Sequence, residues 1–305
     1  MPEPDRPQAV LCVGRVYCDV ILSGLDRMPS PGTEIYADGV ALRAGGGAYI
    51  TAAYLAALGR PVCLAAQLPS GPLGALVRAE IDGAGLDASL CASAESEDPQ
   101  LTVALVDSSD RAFVTRRVGA AVPDVSDTAL RRLGIGHLHI GELATLAEQP
   151  GLLDMARRNG LTVSLDCGWD ESLNAEVAPL IGAVDLFLPN ESEEHWLSGL
   201  GAAPSGDAAP LTVVKCGGDG SRASRDGQRI EVTAEPVEVL DTTGAGDAFN
   251  AGFLHRWLSG DPLEACLAAG NRCGAVAVGA VGGFNASRAR RILAPATPGG
   301  LAAAR

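Results

Sequence analysis

GLLDMARRNGLTVSLD, residues 151–166, sets the reading of the fold. Residues 151–160 carry a helical pattern that stops at Gly160, where a left-handed C-terminal cap belongs, and 161–166 form a short, mostly continuous apolar run. Runs of that kind are strands buried on both faces. The same grammar recurs outward in both directions. Apolar runs stand at VLCV (10–13), VCLAA (62–66), HLHIG (137–141), VDLFLPN (184–190) and LTVVKCG (211–217). Between several of them lie helical stretches: ITAAYLAALG, ending in Gly59, and LGALVRAEIDGAGL, ending near Gly83. Strand and helix alternate, so the chain reads as α/β, with a mostly parallel sheet covered by helices on both faces.

Two segments break the alternation. Residues 15–43 and 101–118 alternate apolar and polar residues around turn signals at Pro31-Gly32 and Ser108 to Asp110, as solvated antiparallel strands do. They are expected to pair as a small sheet beside the main one. A further hairpin is expected at 221–235, turning at Asp226-Gly227, and the tail from Ala294 reads as loose. Residues 1–305 are taken as a single domain with this sheet as an added lid.

The totals exclude several classes of function. With 47% apolar and 20% charged residues the chain has a globular composition, and 4% aromatics leave the core to Ala, Val, Leu and Ile. A net charge of −14 offers no basic face for nucleic acid or an anionic membrane. A small-molecule partner fits better. The acidic, proline-rich start lacks an apolar run long enough for a signal peptide or membrane span, so the protein reads as cytoplasmic. The eight cysteines are scattered without a C-x-x-C pair and read as buried free thiols. Lys215 is the only lysine; the other cationic side chains are arginines.

DTTGAGDAFN (241–250) carries the chemistry. Phe249, Phe253 and Trp257 form an apolar stripe on a helix over 244–258 that stops at Gly260, and Asp261 with Pro262 reads as the capped start of the next helix. Asp247 therefore lies in a first helical turn. Exposed amides and the positive dipole end bind anions, and glycines at 244 and 246 let an anion approach without meeting a Cβ. A carboxylate there is also explained as a plain dipole partner. Lys215 is followed by Cys216, which excludes a Walker loop, and the glycine runs at 45–47 and 217–220 fail the dinucleotide fingerprint.

DTTGAGDAFNAGF (241–253) resembles the C-terminal signature of the PfkB, or ribokinase-like, carbohydrate kinases, and four further motifs follow the family's order. GRVYCD (14–19) resembles its substrate strand, and MPSPGTE with GGGAYITAAYLAALG its Pro-Gly turn and Gly-Gly helix. PNESE (189–193) resembles its N-x-x-E motif, and VVKCGGDGS (213–221) its nucleotide strand and glycine turn. The resemblance implies a three-layer α/β/α domain with a β-sheet lid. It also implies a kinase that moves the γ-phosphoryl of ATP onto a hydroxymethyl group of a sugar or sugar derivative. Asp247 would be the general base, with the amides of Gly244, Ala245 and Gly246 as the anion hole. At a helix N-terminus Asp247 is expected to be a weak base.

By the same resemblance Asn190 and Glu193 would hold Mg²⁺ through water, against the plainer reading of a strand end followed by a helix cap. Lys215, Gly217, Gly218, Gly220 and Asn271 would line the nucleotide, although 217–220 reads equally as a hairpin turn. Asp241 and Thr243 match a monovalent-cation (K⁺) site of some relatives. Asp19, Gly45, Gly46 and Glu142 would hold the substrate, a satisfied strand-end carboxylate being the competing account of Asp19. Lid residues such as Ile35 and Val114 would close over the ligand, and an apolar lid face would pair two copies as a homodimer.

The pattern also breaks. Gly47 and Ile50 replace polar sugar contacts, Ala121 stands where G-A-N is common, and DCGWD (166–170) replaces D-P-N-x-R, while Tyr49, Ile50 and Trp169 add apolar surface. Fewer hydrogen-bonding groups put ribose itself in doubt. A nucleoside kinase of the same family is the alternative acceptor class, and a non-catalytic binding protein the alternative function.

Overall fold

The computed structural model describes residues 8–94, 100–107, 111–204, 209–280 and 282–289. The strands are β1 (Ala9–Val13), β2 (Tyr17–Leu25), β3 (Gly39–Gly45), β4 (Val62–Ala65), β5 (Gln67–Leu68), β6 (Ala92–Ser93), β7 (Leu101–Asp107), β8 (Arg111–Arg116), β9 (Ile135–Ile140), β10 (Thr162–Asp166), β11 (Leu186–Leu188), β12 (Leu211–Lys215), β13 (Ser221–Arg225) and β14 (Gln228–Val232). An eight-stranded sheet runs β14-β13-β12-β11-β10-β9-β1-β4. All its pairs are parallel except those made by the β13–β14 hairpin, which turns at Asp226 and Gly227, both in the left-handed region. The expected inner strands and hairpin are all present.

Helices cover both faces: α1 (Gly47–Ala57), α2 (Gly71–Gly83), α3 (Asp127–Leu133), α4 (Leu143–Glu148), α5 (Gly151–Asn159), α6 (Ala178–Gly182), α7 (Glu191–Gly199), α8 (Ala245–Trp257), α9 (Leu263–Ala277) and α10 (Ala286–Ala289). Alternation along β1 shows the layering. Val10 and Cys12 join a core with α1, α2, α8 and α9, while Leu11 and Val13 join one with α3 to α7. Under α8 the first layer is partly polar. His137 bonds Thr162 Oγ1 at 2.7 Å and Ser164 Oγ at 2.8 Å, and Ser164 also bonds His139 at 2.8 Å. Burial holds both imidazoles neutral, lowering His137 to about 3 and His139 to about 4.

Helix ends follow the glycines, with two corrections. α5 stops on left-handed Gly160 as expected. α2 runs through Gly83 with Ala84 as C-cap, and the left-handed glycine is the next residue, Gly85: the Gly85 amide returns to Asp82 and the Leu86 amide to Ile81, a Schellman closure. α9 starts at Leu263 with Pro262 itself as N-cap; the Asp261 carboxylate instead faces Arg256 at 3.2 Å.

The two irregular segments form a separate four-stranded sheet, β3-β2-β7-β8. Register places Tyr17, Asp19, Arg43, Thr102, Thr115 and Arg117 toward one face. That face turns to the carboxyl end of the large sheet, since Arg111 reaches Thr243 and Arg117 reaches Asp170. The opposite face carries Val20, Leu22, Leu42 and Val103 with the exposed Val40 and Val114. Val114 therefore points away from the cleft, because its neighbours Phe113 and Thr115 take the inward positions. Ser108 to Asp110 lie outside the described residues, as does the tail from Ala294.

Candidate active site

β1, β9, β10 and β12 all end at one edge of the sheet, the edge at which open α/β sheets bind ligands. α8 begins there. Its N-cap, Gly244, sits at φ +72°, and a Cβ on it would lie 2.6 Å from Gly283 Cα, so both conformation and contact require glycine. With no side-chain cap, the first-turn amides stay open to an outside acceptor. Ala245 differs from the expectation: its amide bends back to the Thr242 carbonyl at 3.3 Å. The donors left for an anion are the amides of Gly244, Gly246 and Asp247.

Asp247 is flanked by a buried polar cluster that sequence reasoning resolved only in part. Lys215 Nζ donates to Asp166 Oδ1 at 2.7 Å, and Asn250 Nδ2 donates to Asp166 Oδ2 at 2.6 Å. Burial raises Asp247 to about 7, and Asp166 adds to the shift while Lys215 opposes it. The expectation of a weak base is corrected: desolvation and neighbouring carboxylates outweigh the helix terminus. Burial works to lower the Lys215 ammonium, but Asp166 and Glu193 outweigh it and raise its pKa. A Cβ on Gly246 would stand 3.4 Å from Lys215 Nζ, so the lone lysine lies beneath the first turn of α8.

Opposite stands the start of α1. A Cβ at Gly45 would run into the Asp19 carboxylate, and one at Gly46, at φ +104°, into the Arg15 carbonyl. Gly47 is the least expected member: a Cβ there would lie 2.7 Å from the Gly141 oxygen and 2.8 Å from Asp247 Oδ1. Three glycines thus span the gap between Asp19 and Asp247. Burial, with help from Glu80, raises Asp19 to about 7. Glu142 accepts from the Arg15 amide at 3.3 Å and from Thr145 Oγ1 at 2.8 Å, and burial pushes its carboxyl up.

The remaining candidates divide. Asn190 Oδ1 accepts from the Glu193 amide at 2.9 Å, and Glu193 Oε2 accepts from the Asn190 amide at 2.7 Å, a complete capping box at α7. Gly220 is structural, because a Cβ would strike the Val232 carbonyl, whereas Gly217 and Gly218 face open space. Asn271 Nδ2 donates to the Val232 carbonyl at 3.0 Å and so braces β14. Asp241 accepts from the amides of Thr243 and Gly282, both at 2.8 Å, and lies 3.6 Å from the Arg111 guanidinium. Among the described residues no group of three or more His, Cys, Asp or Glu could hold a metal, and the eight cysteines are free.

Arg117, which sequence reading did not single out, pairs with Asp170 at 2.5 Å. Asp170 stands where the resembled D-P-N-x-R has its arginine, so the signal was the charge reversal in DCGWD. Two of the three residues expected to form an apolar wall, Tyr49 and Ile50, are taken into the core. Tyr49 and Ile50 are 1% and 3% exposed within the core, and the Trp169 ring lies 5.1 Å from Trp196 of α7.

The model of the pfkB family carbohydrate kinases matches residues 7–290. An ATP-dependent ribose-1-phosphate kinase of Halopiger xanaduensis is 28% identical over 93% of this chain and 97% of its own length. A nucleoside kinase of Methanothermobacter thermautotrophicus is 26% identical over 84% and 85%. A structure of Arabidopsis thaliana ribokinase complexed with ribose and ATP shares the fold at TM-score 0.74 and 24% identity, covering 95% of this chain and 99% of that one. The mostly parallel sheet, its two helical layers and the separate small sheet are therefore a ribokinase-like fold, and the chain belongs to the pfkB family of ATP-dependent carbohydrate kinases.

Proposed function

We propose that this sugar kinase transfers the γ-phosphoryl of ATP to a hydroxymethyl group of a sugar or sugar derivative lying between Asp19 and Asp247. One observation carries the reading: Gly45 and Gly47 leave no Cβ against the two carboxylates, a Cβ at Gly45 meeting Asp19 and one at Gly47 lying 2.8 Å from Asp247 Oδ1. Asp19 grips hydroxyls of the acceptor. Asp247 orients the attacking hydroxyl and takes its proton as the new O–P bond forms and the bond to the leaving ADP oxygen breaks. A carboxylate raised to about 7 suits this role, because a general base works best with a pKa near the operating pH.

Phosphoryl transfer asks for positioning and neutralisation of charge more than for covalent help. The open amides of Gly244, Gly246 and Asp247 receive the migrating oxygens, and Lys215 supplies a fixed positive charge behind them. Gly217 and Gly218 leave room for the nucleotide. By the family resemblance Glu193 would hold Mg²⁺ through water, since its Oε2 is committed to the capping box of α7. Bound with ATP, the ion would neutralise phosphate charge. Closure of the lid would exclude water that competes for the phosphoryl group.

The outer lid face, with Val40 70% and Val114 66% exposed, is the surface we assign to pairing with a second copy. Among the described residues no helix is long and apolar enough to cross a membrane.

The test is ATP-dependent turnover on pentoses, hexoses, sugar phosphates, keto-sugar acids and nucleosides, with the product located by phosphorus NMR. A primary phosphate ester on a sugar derivative is expected. Preferred turnover of nucleosides would move the acceptor class. Tight binding of a sugar with no turnover on any acceptor would sink the catalytic reading.

A further inference from the structure

We propose that Arg111 is a resident cation of the phosphate-binding loop, a positioning residue supplied by the lid, and that this kinase needs no monovalent metal ion. Resemblance marks Asp241 and Thr243 for K⁺, yet the donors around them do not suit it. Asp241 Oδ1 accepts the Thr243 amide and Oδ2 accepts the Gly282 amide, both at 2.8 Å. Arg111 Nη1 lies 3.6 Å from Asp241 Oδ1 and donates to Thr243 Oγ1 at 3.2 Å. A metal cation is bound by a shell of oxygens. Here N–H groups and a guanidinium already surround the carboxylate, and the fixed positive charge repels a second cation from the same place.

The arginine does what a bound ion would do. Asp241 joins two loops, the one entering α8 and the one at Gly282 and Gly283, against which Gly244 lies in contact. Its side chain is only 14% exposed, so the negative charge held between those amides calls for a counter-charge. Arg111 meets that need from β8, and its guanidinium carbon is held 5.4 Å from the centre of the Phe113 ring, on the same face of the strand. A tethered cation differs from a dissolved one in a testable way. It cannot be removed by changing the salt, and it couples order at the anion-binding turn to the presence of the lid.

The experiment uses the full chain in KCl, NaCl and choline chloride at equal ionic strength, as wild type, Arg111→Gln and Arg111→Ala. Thermal midpoints and ATP-dependent turnover are both read. For the wild type, both are expected to be the same in the three salts. Both variants should lose about tenfold or more in kcat in choline chloride, with acceptor KM changed by less than about threefold, as for a group that positions without touching the acceptor. Potassium should raise their thermal midpoints and restore part of kcat, saturably. Saturable, potassium-specific activation or stabilisation of the wild type overturns the proposal. So do variants that keep wild-type kcat in choline chloride. The turnover arm rests on the kinase reading above, but the thermal arm does not: if no acceptor is found that reading fails, and the ion response of the thermal midpoint still decides this one.

Discussion

α7 and α8 begin with the same spacing and end with opposite uses. Each has an acid three residues past its N-cap: Glu193 after Asn190, and Asp247 after Gly244. In α7 the cap has a side chain, and the two residues close on one another through bonds of 2.9 and 2.7 Å. In α8 the cap is a left-handed glycine with nothing to offer, so the Gly246 and Asp247 amides stay open and Asp247 has no capping partner. The difference teaches that the residue at the cap, not the acid, decides whether a helix start is finished internally or left for a ligand. Both acids are raised by burial, so desolvation alone does not separate them.

The hardest blow to this contrast is Asp247→Asn, expected to lower kcat by about three orders of magnitude or more while preserving ATP affinity. Steady-state kinetics with nucleotide titration reads both, and near-normal turnover would remove Asp247 from the chemistry. In the wild type, kcat/KM should fall as pH drops through about 7, far above the usual carboxylate range. Stability has the opposite sign. The folded carboxyl keeps its proton up to about 7 whereas the unfolded one releases it near ~4, so the folded state binds more protons between those values. Stability contributed by this group is therefore complete below the unfolded pKa and declines as pH rises to about 7. At pH 8 the Asn variant should melt no lower than wild type, an advantage that disappears near pH 4.

Gly246→Ala sharpens the contrast from the helix side. A methyl there meets Lys215 Nζ at 3.4 Å, an ordinary contact, so the helix should gain up to about 1 kcal/mol from the lost glycine. The methyl also stands where a phosphoryl oxygen is proposed to sit, and turnover should drop roughly tenfold to a hundredfold. A variant both stabler and fully active would show that the turn is not the phosphoryl seat. The smallest effect belongs to Asn190→Ala. Opening the capping box should cost about 1 kcal/mol, or about 2 °C in the thermal midpoint, with kcat within about threefold. A larger kcat loss at unchanged stability would place Asn190 in direct contact with the reacting groups.

The fold was legible because its signals are local. Continuous runs such as VLCV and LTVVK, and Gly160 at the end of α5, follow from burial on two faces and from the left-handed cap. Errors arose where one residue had to be chosen among near equivalents, as with Gly83 against Gly85, or Asp261 against Pro262. At the site, Asp247 and the glycines of 244–246 were readable from one short segment. The weak-base expectation failed because burial, joined by Asp166, Glu193 and Glu142 from three other places in the chain, raises Asp247. Trp169 reads as added apolar surface from the break in the D-P-N-x-R pattern, whereas contact with Trp196 of α7 depends on the fold.

The sequence by itself determined the alternation of strand and helix, the lid segments and the bare helix start that carries the acid. These depend on periodicity and on backbone freedom, which neighbours along the chain control. Only the tertiary structure decided what surrounds each charge: Lys215 against Asp166, Arg111 against Asp241, Gly47 against Asp247. Electrostatic energy depends on distance and on exclusion of water, and neither is written in residue order.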